Sequence, residues 1–216
     1  MSRTTTTCLL LMLSCSLSAC AFFGKSEPLE PRFYSAATTE SERASASAQT
    51  GLALRVGRVL AGGHLQERIA YRSGQRELGF YDQRRWTERP EVYVRRAVSH
   101  ALFDQRGVVR VVSGPAALLE LELLEFVELR APKRAARVSI SAALSDGRTV
   151  RLERTFSHEQ ALPKSDDDEF GGVAEAMSLA LQACADELAD AVVSELSRQP
   201  VSPANAGVAP EPGAPR

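Results

Sequence analysis

The first twenty residues place the strongest constraint on what the rest of this chain can form. Arg3 supplies a positive charge, and residues 8–17 form an uncharged run of ten residues that is followed by small side chains. A run of this length is too short to cross a hydrocarbon core of about 30 Å as a helix. A positive charge, an uncharged run and then small side chains follow one another in the order found in a secretory signal peptide. We therefore predict that residues 1–19 are removed and that the folded part of the chain is exported.

Cys20 is the predicted lipid attachment site. It ends the sequence LSAC at residues 17–20, which is similar to a bacterial lipobox, in which the cysteine is acylated and becomes the first residue of the mature protein. Two or more acyl chains anchor a protein stably at a membrane. The alternative is an ordinary signal peptide with an incidental cysteine. Ala21 stands where an aspartate would favour the inner membrane, so we expect the periplasmic face of the outer membrane.

The remaining cysteines exclude a disulfide framework. Cys8 and Cys15 lie in the predicted leader and Cys20 would carry lipid, which leaves Cys184 alone in the mature chain. An exported domain without a disulfide must be held together by its hydrophobic core. With 44% hydrophobic residues the chain can supply one. Cys184 itself lies on an apolar stripe, and we interpret it as a small buried side chain rather than a nucleophile.

Composition changes along the chain predict its organisation. Residues 20–50 are rich in small and polar side chains and are predicted to be a flexible tether, interrupted by one short strand at 32–35. Residues 199–216 contain five prolines with alanine and glycine, and are predicted to be a disordered tail. A single folded domain is therefore expected over residues 51–198.

The first half of this domain predicts strands followed by a helix. The strand segments are residues 52–60, then 69–72 with 78–81 as a hairpin, and later 108–112. Pro90 suits the first position of a helix, apolar residues then recur at helical spacing, and Gly107 closes it.

The second half predicts three antiparallel strands and a long helix. Residues 118–129 favour a helix by composition, but leucine and glutamate alternate as in a strand until a β-bulge after Leu124. Residues 137–144 and 149–156 form a hairpin around an Asp-Gly turn. Residues 170–198 carry apolar side chains along one stripe of an amphipathic helix. The predicted fold class is α+β, a single domain with a mostly antiparallel sheet, one mid-chain helix and a long C-terminal helix.

No pattern in the sequence predicts catalysis, a metal or a cofactor. His64, His100 and His158 are scattered, and none has a second ligand at metal-binding spacing. No serine nucleophile elbow occurs, and no cysteine is paired with a nearby histidine. We therefore predict a protein that is not an enzyme, without a cofactor or metal.

Charge is divided unevenly between the two halves of the domain. Residues 51–110 contain 12 arginines against 6 acidic residues, whereas residues 111–197 contain 8 basic against 16 acidic residues. Opposite fields on one domain suit a head-to-tail homo-oligomer, or docking of the basic half onto an acidic partner or lipid headgroups; alternatively, both faces are simply solvated. The net charge of −1 argues against nucleic-acid binding.

Several segments follow one another in a characteristic order: Cys20, Phe33-Tyr34, LRVG at 54–57, IAYR at 69–72, RWTERP at 85–90 and LELLEF at 121–126. With the meander and the closing helix, this order resembles the ABC-type transport auxiliary lipoproteins over most of residues 32–198.

The resemblance implies a non-catalytic lipoprotein that serves a lipid transport system. Its implied partners are a periplasmic protein with mammalian-cell-entry (MCE) domains and the associated inner-membrane permease and ATPase. Arg72, Trp86 and Arg89 are the candidate partner-binding residues, although the default interpretation of Trp86 is that it anchors the core. The alternative is a lipid-anchored regulator of an envelope enzyme, such as a peptidoglycan synthase activator.

Overall fold

The computed structural model describes residues 30–36, 48–74, 76–163 and 170–198. Within these residues the strands are β1 (Arg32–Tyr34), β2 (Ala53–Ala61), β3 (Arg68–Arg72), β4 (Leu78–Trp86), β5 (Val109–Arg110), β6 (Ala117–Leu129), β7 (Ala135–Ser145) and β8 (Val150–Ala161). The helices are α1 (Pro90–Ser99), which continues as a π-helical turn (His100–Gln105), and α2 (Gly171–Ser197).

The long strand β6 organises the sheet. Along one edge it pairs antiparallel with β7, which in turn pairs antiparallel with β8. Along its other edge it pairs parallel with β2 over its N-terminal half and with β3 at its C-terminal end. The chain thus runs through β2 and β3 one after the other beside a single strand, because β6 is long enough to accommodate both.

The short strands complete the two ends of the sheet. The hairpin partner of β3 is β4, which also pairs parallel with β1. The strand β5 adds parallel to β2. The fold is therefore α+β, as predicted, and its long ladders are antiparallel. The parallel pairings of β6 were not predicted, because periodicity within one segment does not specify its neighbours.

Both helices cover one face of the sheet. The inward side chains of β6 alternate with exposed glutamates and include Leu119, Leu121 and Leu123, all of them buried. The predicted α2 stripe is buried along its whole length, from Val173 to Leu196, and packs on β7, β8 and α1. Burial of each large apolar side chain contributes about 1.5–3 kcal/mol, so this face supplies the core that an exported domain without a disulfide requires.

The ambiguous segment at 118–129 is a strand, the first of the meander, and its predicted bulge is present. The pairing of β6 with β7 shifts register between Leu123 and Glu125. The extra residue moves the next apolar side chain back onto the helix-covered face, where Phe126 is 1% exposed.

Several element boundaries differ from the sequence-based expectation. The strand expected at 78–81 continues to Trp86, and the strand expected at 149–156 continues to Ala161. The mid-chain helix is α-helical through Ser99 and finishes as a π-helical turn from His100, before Gly107 with a φ of +62°. The strand expected over 108–112 is restricted to Val109–Arg110, because only these positions pair with β2. In the described part of the chain, neither helix has the length and apolar character needed to cross a bilayer.

Candidate functional site

The three candidate partner residues lie in different environments. Trp86 is 1% exposed and makes edge contacts with Phe126 and Tyr93, at ring-centroid distances of 5.2 and 6.2 Å. It therefore anchors the junction between β4 and α1 within the core, and presents almost no surface to a partner.

Arg72 and Arg89 retain accessible side chains at separate places. The Nε of Arg72 lies 3.1 Å from Oε1 of Glu125, and its side chain is 25% exposed. Arg89 precedes α1, and its Nε lies 2.9 Å from Oε1 of Glu91. No hydrogen bond, ion pair or ring contact joins Arg72, Trp86 and Arg89 to one another in the described chain, so they do not form one site.

The described residues form a groove with a volume of about 1200 Å³. It lies where β2, α1 with its π-helical turn, the end of β5 and α2 meet. Its walls carry four arginines, namely Arg58, Arg95, Arg96 and Arg110. Its floor is made of small apolar side chains, namely Val59, Ala97, Ala101 and Ala185, each less than 8% exposed.

Each carboxylate that lines this groove has a polar neighbour. Glu91 pairs with Arg89, as described above. Oδ2 of Asp104 lies 3.0 Å from Nδ1 of His100, one helical turn earlier. Asp186 of α2 lies 3.3 Å from Nη1 of Arg106. Glu91 and Asp186 are therefore each held by an arginine, whereas Asp104 has only the ring of His100 beside it.

The arginines of the walls are mostly uncompensated. Arg96 donates to both carboxylate oxygens of Glu88, at 2.9 Å each. Arg110 instead lies over the ring of Phe103, 4.2 Å from its centroid. Arg58 and Arg95 have no hydrogen-bond, ion-pair or ring partner among the residues that the structure describes. With four arginines against three carboxylates in its lining, the groove carries an excess of positive charge, and the guanidinium groups of Arg58 and Arg95 are available to an anionic ligand.

Arg106 fixes one end of the groove by joining the π-helical turn to α2. Its Nε lies 2.7 Å from Oδ1 of Asp190, and its Nη2 donates to the backbone carbonyl of Asp186 at 3.0 Å. The hydrogen bond from Arg106 lowers the pKa of the Asp190 carboxyl. The two elements that form the groove are thus held together by charge as well as by the core.

A second cluster of arginines and aromatic rings lies near the start of α2. Arg130 stands 3.3 Å from the ring centroid of Tyr71 and 4.8 Å from that of Tyr81, while Arg84 covers Tyr81 and Phe170 at 4.8 and 4.3 Å. A Cβ at Gly79 would approach the Tyr71 ring to 2.4 Å, so this position allows the ring to lie flat across β4.

The same cluster encloses a buried carboxylate. Glu128 is 0% exposed, accepts hydrogen bonds from Nε and Nη2 of Arg134 at 2.8 and 2.6 Å, and accepts another from the Tyr81 hydroxyl. Burial, together with this hydrogen bond, raises the pKa of Tyr81. The network joins β4, β6 and the connection to β7, and a buried carboxylate held in this way is a structural feature.

The described residues give no support to a metal or nucleophile site. No group of three histidine, cysteine or acidic side chains comes together within them. The thiol of Cys184 is buried and donates to the carbonyl of Phe156 at 3.4 Å. Burial raises the pKa of this thiol to about 12. Cys184 therefore packs as a small apolar side chain, in agreement with the interpretation from the sequence.

The positive charge of the groove could be predicted from the sequence, but the groove itself could not. All four wall arginines belong to the basic segment 51–110 whose charge excess was noted. Their convergence depends on the pairing of β5 with β2 and on the packing of α1, which no spacing along the chain reveals. Cys20 lies outside the described residues, as do residues 1–19 and the tail at 199–216.

The fold of this chain is similar to that of two solved structures. The crystal structure of protein XCC0632 from Xanthomonas campestris matches with a TM-score of 0.65 and 23% identity, over 77% of this chain and 97% of that one. An uncharacterized protein matches with a TM-score of 0.59 and 13% identity, over 76% of this chain and 99% of that one. These likenesses show a shared α+β fold. No curated protein matches the chain.

The chain belongs to the family described as the ABC-type transport auxiliary lipoprotein component. The model of that family matches residues 34–189, from the last residue of β1 into α2. The match includes the β6–β8 meander and every residue of the groove. The family resemblance stated from the sequence is therefore confirmed.

Proposed function

We propose that this chain is a non-catalytic docking component of an MCE-type lipid transport system. In this proposal acylated Cys20 holds the protein on the periplasmic face of the outer membrane. The folded domain receives an MCE-domain protein whose permease and ATPase lie in the inner membrane. The observation that carries the proposal is the family match over residues 34–189, whose description names an auxiliary lipoprotein of ABC-type transport.

The length of the chain before the sheet is compatible with such an anchor. Residues 20–31 separate the acylated cysteine from β1, which pairs with β4. An extended chain spans at most about 3.3–3.6 Å per residue, so these residues allow a distance of up to roughly 40 Å from the membrane. The domain would then stand in the periplasm within reach of a partner, and Arg72 and Arg89 remain candidate contacts.

The proposal is tested by capturing the full-length lipidated protein from detergent-solubilised envelopes and identifying its partners by mass spectrometry. We expect an MCE-domain protein to be recovered with the wild type. With Cys20→Ala, we expect its recovery to be weakened or lost. Cys15→Ala is the matched control, because it removes a cysteine from the leader and leaves the mature chain unchanged. Recovery of cell-wall synthases in place of transport proteins would overturn the proposal and support the lipid-anchored regulator.

A further inference from the structure

The shape of the arginine-lined groove restricts what it can bind. A membrane surface is flat and would meet the rim of a concavity rather than its floor. The floor of this groove consists of small side chains, so that a single chain could lie close to the backbone of α1 and α2. Its volume of about 1200 Å³ exceeds the usual range of about 300–1,000 Å³ for a small-molecule pocket. These dimensions suit a segment of polypeptide.

The charge of the groove determines the character of that segment. Glu91 pairs with Arg89 and Asp186 with Arg106, and Asp104 contacts the ring of His100, whereas Arg58 and Arg95 have no partner in the described chain and Arg110 only stacks on a ring. Guanidinium groups form strong paired hydrogen bonds with carboxylates. The walls therefore favour a ligand with several carboxylates along its length.

The other groups of the groove suit a peptide better than a phosphate alone. The amide of Gln182 and the hydroxyl of Ser99 lie in the lining and can bond to backbone groups. Val92 of α1, 39% exposed, gives the wall an apolar contact. A ligand that combines carboxylates, backbone amides and an occasional apolar side chain meets all three kinds of surface.

We propose that this groove between α1 and α2 binds an acidic polypeptide segment of the transport partner. The inference rests on the proposed function, which it deepens by naming the docking surface and the chemistry of what docks there. Arg58 and Arg95 act as the principal contacts because their charges are uncompensated, and Arg96 and Arg110 add to the positive field around them.

The direct test measures fluorescence anisotropy of a labelled peptide of about twelve residues in which glutamate alternates with alanine. The full-length lipidated protein in detergent is compared with Arg58→Glu/Arg95→Glu, in which two favourable contacts become repulsive. We expect the dissociation constant to rise about tenfold or more, and the affinity of the wild type to fall as salt is raised. A peptide with glutamine in place of glutamate should not bind.

The matched control is Arg76→Glu/Arg148→Glu. Both arginines are exposed in loops of the described chain, lie outside the groove, and give the same change in net charge. We expect this variant to bind the acidic peptide within about twofold of the wild type. If both double variants lose the same affinity for the acidic peptide, net charge alone attracts it and the inference is overturned. The inference is also overturned if the wild type does not bind the acidic peptide.

Two further measurements separate other occupants of the groove. If Arg58→Glu/Arg95→Glu abolishes binding to vesicles that contain phosphatidylglycerol while peptide binding persists, the groove serves a lipid surface. If it abolishes self-association in sedimentation velocity without changing peptide binding, the groove serves a second copy of the chain. Either outcome would overturn the inference.

Partner capture distinguishes failure of this inference from failure of the proposed function. When wild type and Arg58→Glu/Arg95→Glu recover an MCE-domain protein equally well, the proposed function stands and the groove is not its docking site. When the wild type recovers no transport protein yet binds the acidic peptide through these arginines, the proposed function is wrong and the partner assigned to the groove is wrong with it.

Discussion

At the scale of single residues, burial determines which side chains retain their chemistry. Cys184 is 0% exposed and its pKa is raised to about 12, first by burial and then by the nearby charge of Glu187. At neutral pH almost no thiolate is present, and the thiolate is the nucleophilic form. Trp86 shows the same principle, since an aromatic residue beside arginines in sequence becomes part of the core once folded.

We predict that Cys184 is unreactive in the folded protein. In the mature chain the sulfur of Cys20 would carry lipid, so Cys184 is the only free thiol. Because burial disfavours both the thiolate and the approach of a reagent, a disulfide reagent at pH 8 should modify it only after denaturant is added. The measurement is the absorbance of the leaving group that the reagent releases, followed over time with and without denaturant. Rapid labelling of the folded chain would show that the contact between α2 and the sheet opens readily.

At the scale of elements, the joint between the π-helical turn and α2 shapes the groove. Arg106 is 18% exposed at its side chain and contacts Asp190, Asp186 and the carbonyl of Ala101. Hydrogen bonds to charged groups contribute about 1.5–3 kcal/mol when they are shielded from water. The partner Asp190 is 73% exposed, so this ion pair is partly screened and contributes less than about 1 kcal/mol.

We predict that the contribution of Asp190 to stability disappears in acid. Arg106 lowers the pKa of Asp190 below 3.8, so the folded state holds this proton less tightly than the unfolded state. A carboxyl with a lowered folded-state pKa stabilises the protein above its unfolded pKa and loses that effect as pH falls through the folded value. The wild type should therefore exceed Asp190→Asn in free energy of unfolding at pH 7, by less than about 1 kcal/mol.

Denaturant unfolding of both proteins at several pH values provides the measurement. The difference in free energy of unfolding between wild type and Asp190→Asn should decline from about pH 5 and vanish below the folded-state pKa of Asp190. Asp82→Asn is a suitable control, because Asp82 is also paired with an arginine but is 87% exposed at its side chain. A difference between wild type and Asp190→Asn that grows on acidification would contradict the assignment.

At the scale of the whole molecule, one hydrophobic core joins the sheet to both helices. The core runs from Leu54 of β2 through Phe126 of β6 to Leu196 at the end of α2. Trp86 lies inside it, in contact with Tyr93 and Phe126. Since the elements bury their apolar faces against one another, removal of any one exposes the rest, and unfolding should be cooperative.

We predict that the fluorescence of Trp86 reports unfolding of the entire domain. As the only tryptophan of the chain and 1% exposed, it should emit at short wavelength and resist quenching by iodide until the core opens. Its transition in denaturant should coincide with that of far-ultraviolet circular dichroism. A fluorescence change that precedes the loss of helical signal would show that the β4–α1 junction unfolds separately from α2.

Much of the fold could be predicted from the sequence because its local patterns are strong. The alternation of leucine and glutamate in β6, the Asp-Gly turn between β7 and β8, and the apolar stripe of α2 each predict one element without reference to the others. Pro90 correctly marks the first residue of α1. Such patterns express the period of a strand or a helix, and that period is a property of the segment itself.

The sequence by itself determined the elements, the α+β class, the family and the excess of arginine in one half of the domain. Only the tertiary structure decided that β2 and β3 share one edge of β6, that Trp86 is buried, and that Arg58, Arg95, Arg96 and Arg110 converge on one groove. The physical reason is that periodicity acts over neighbouring residues, whereas strand pairing and the charge balance of a surface arise between residues far apart in the chain.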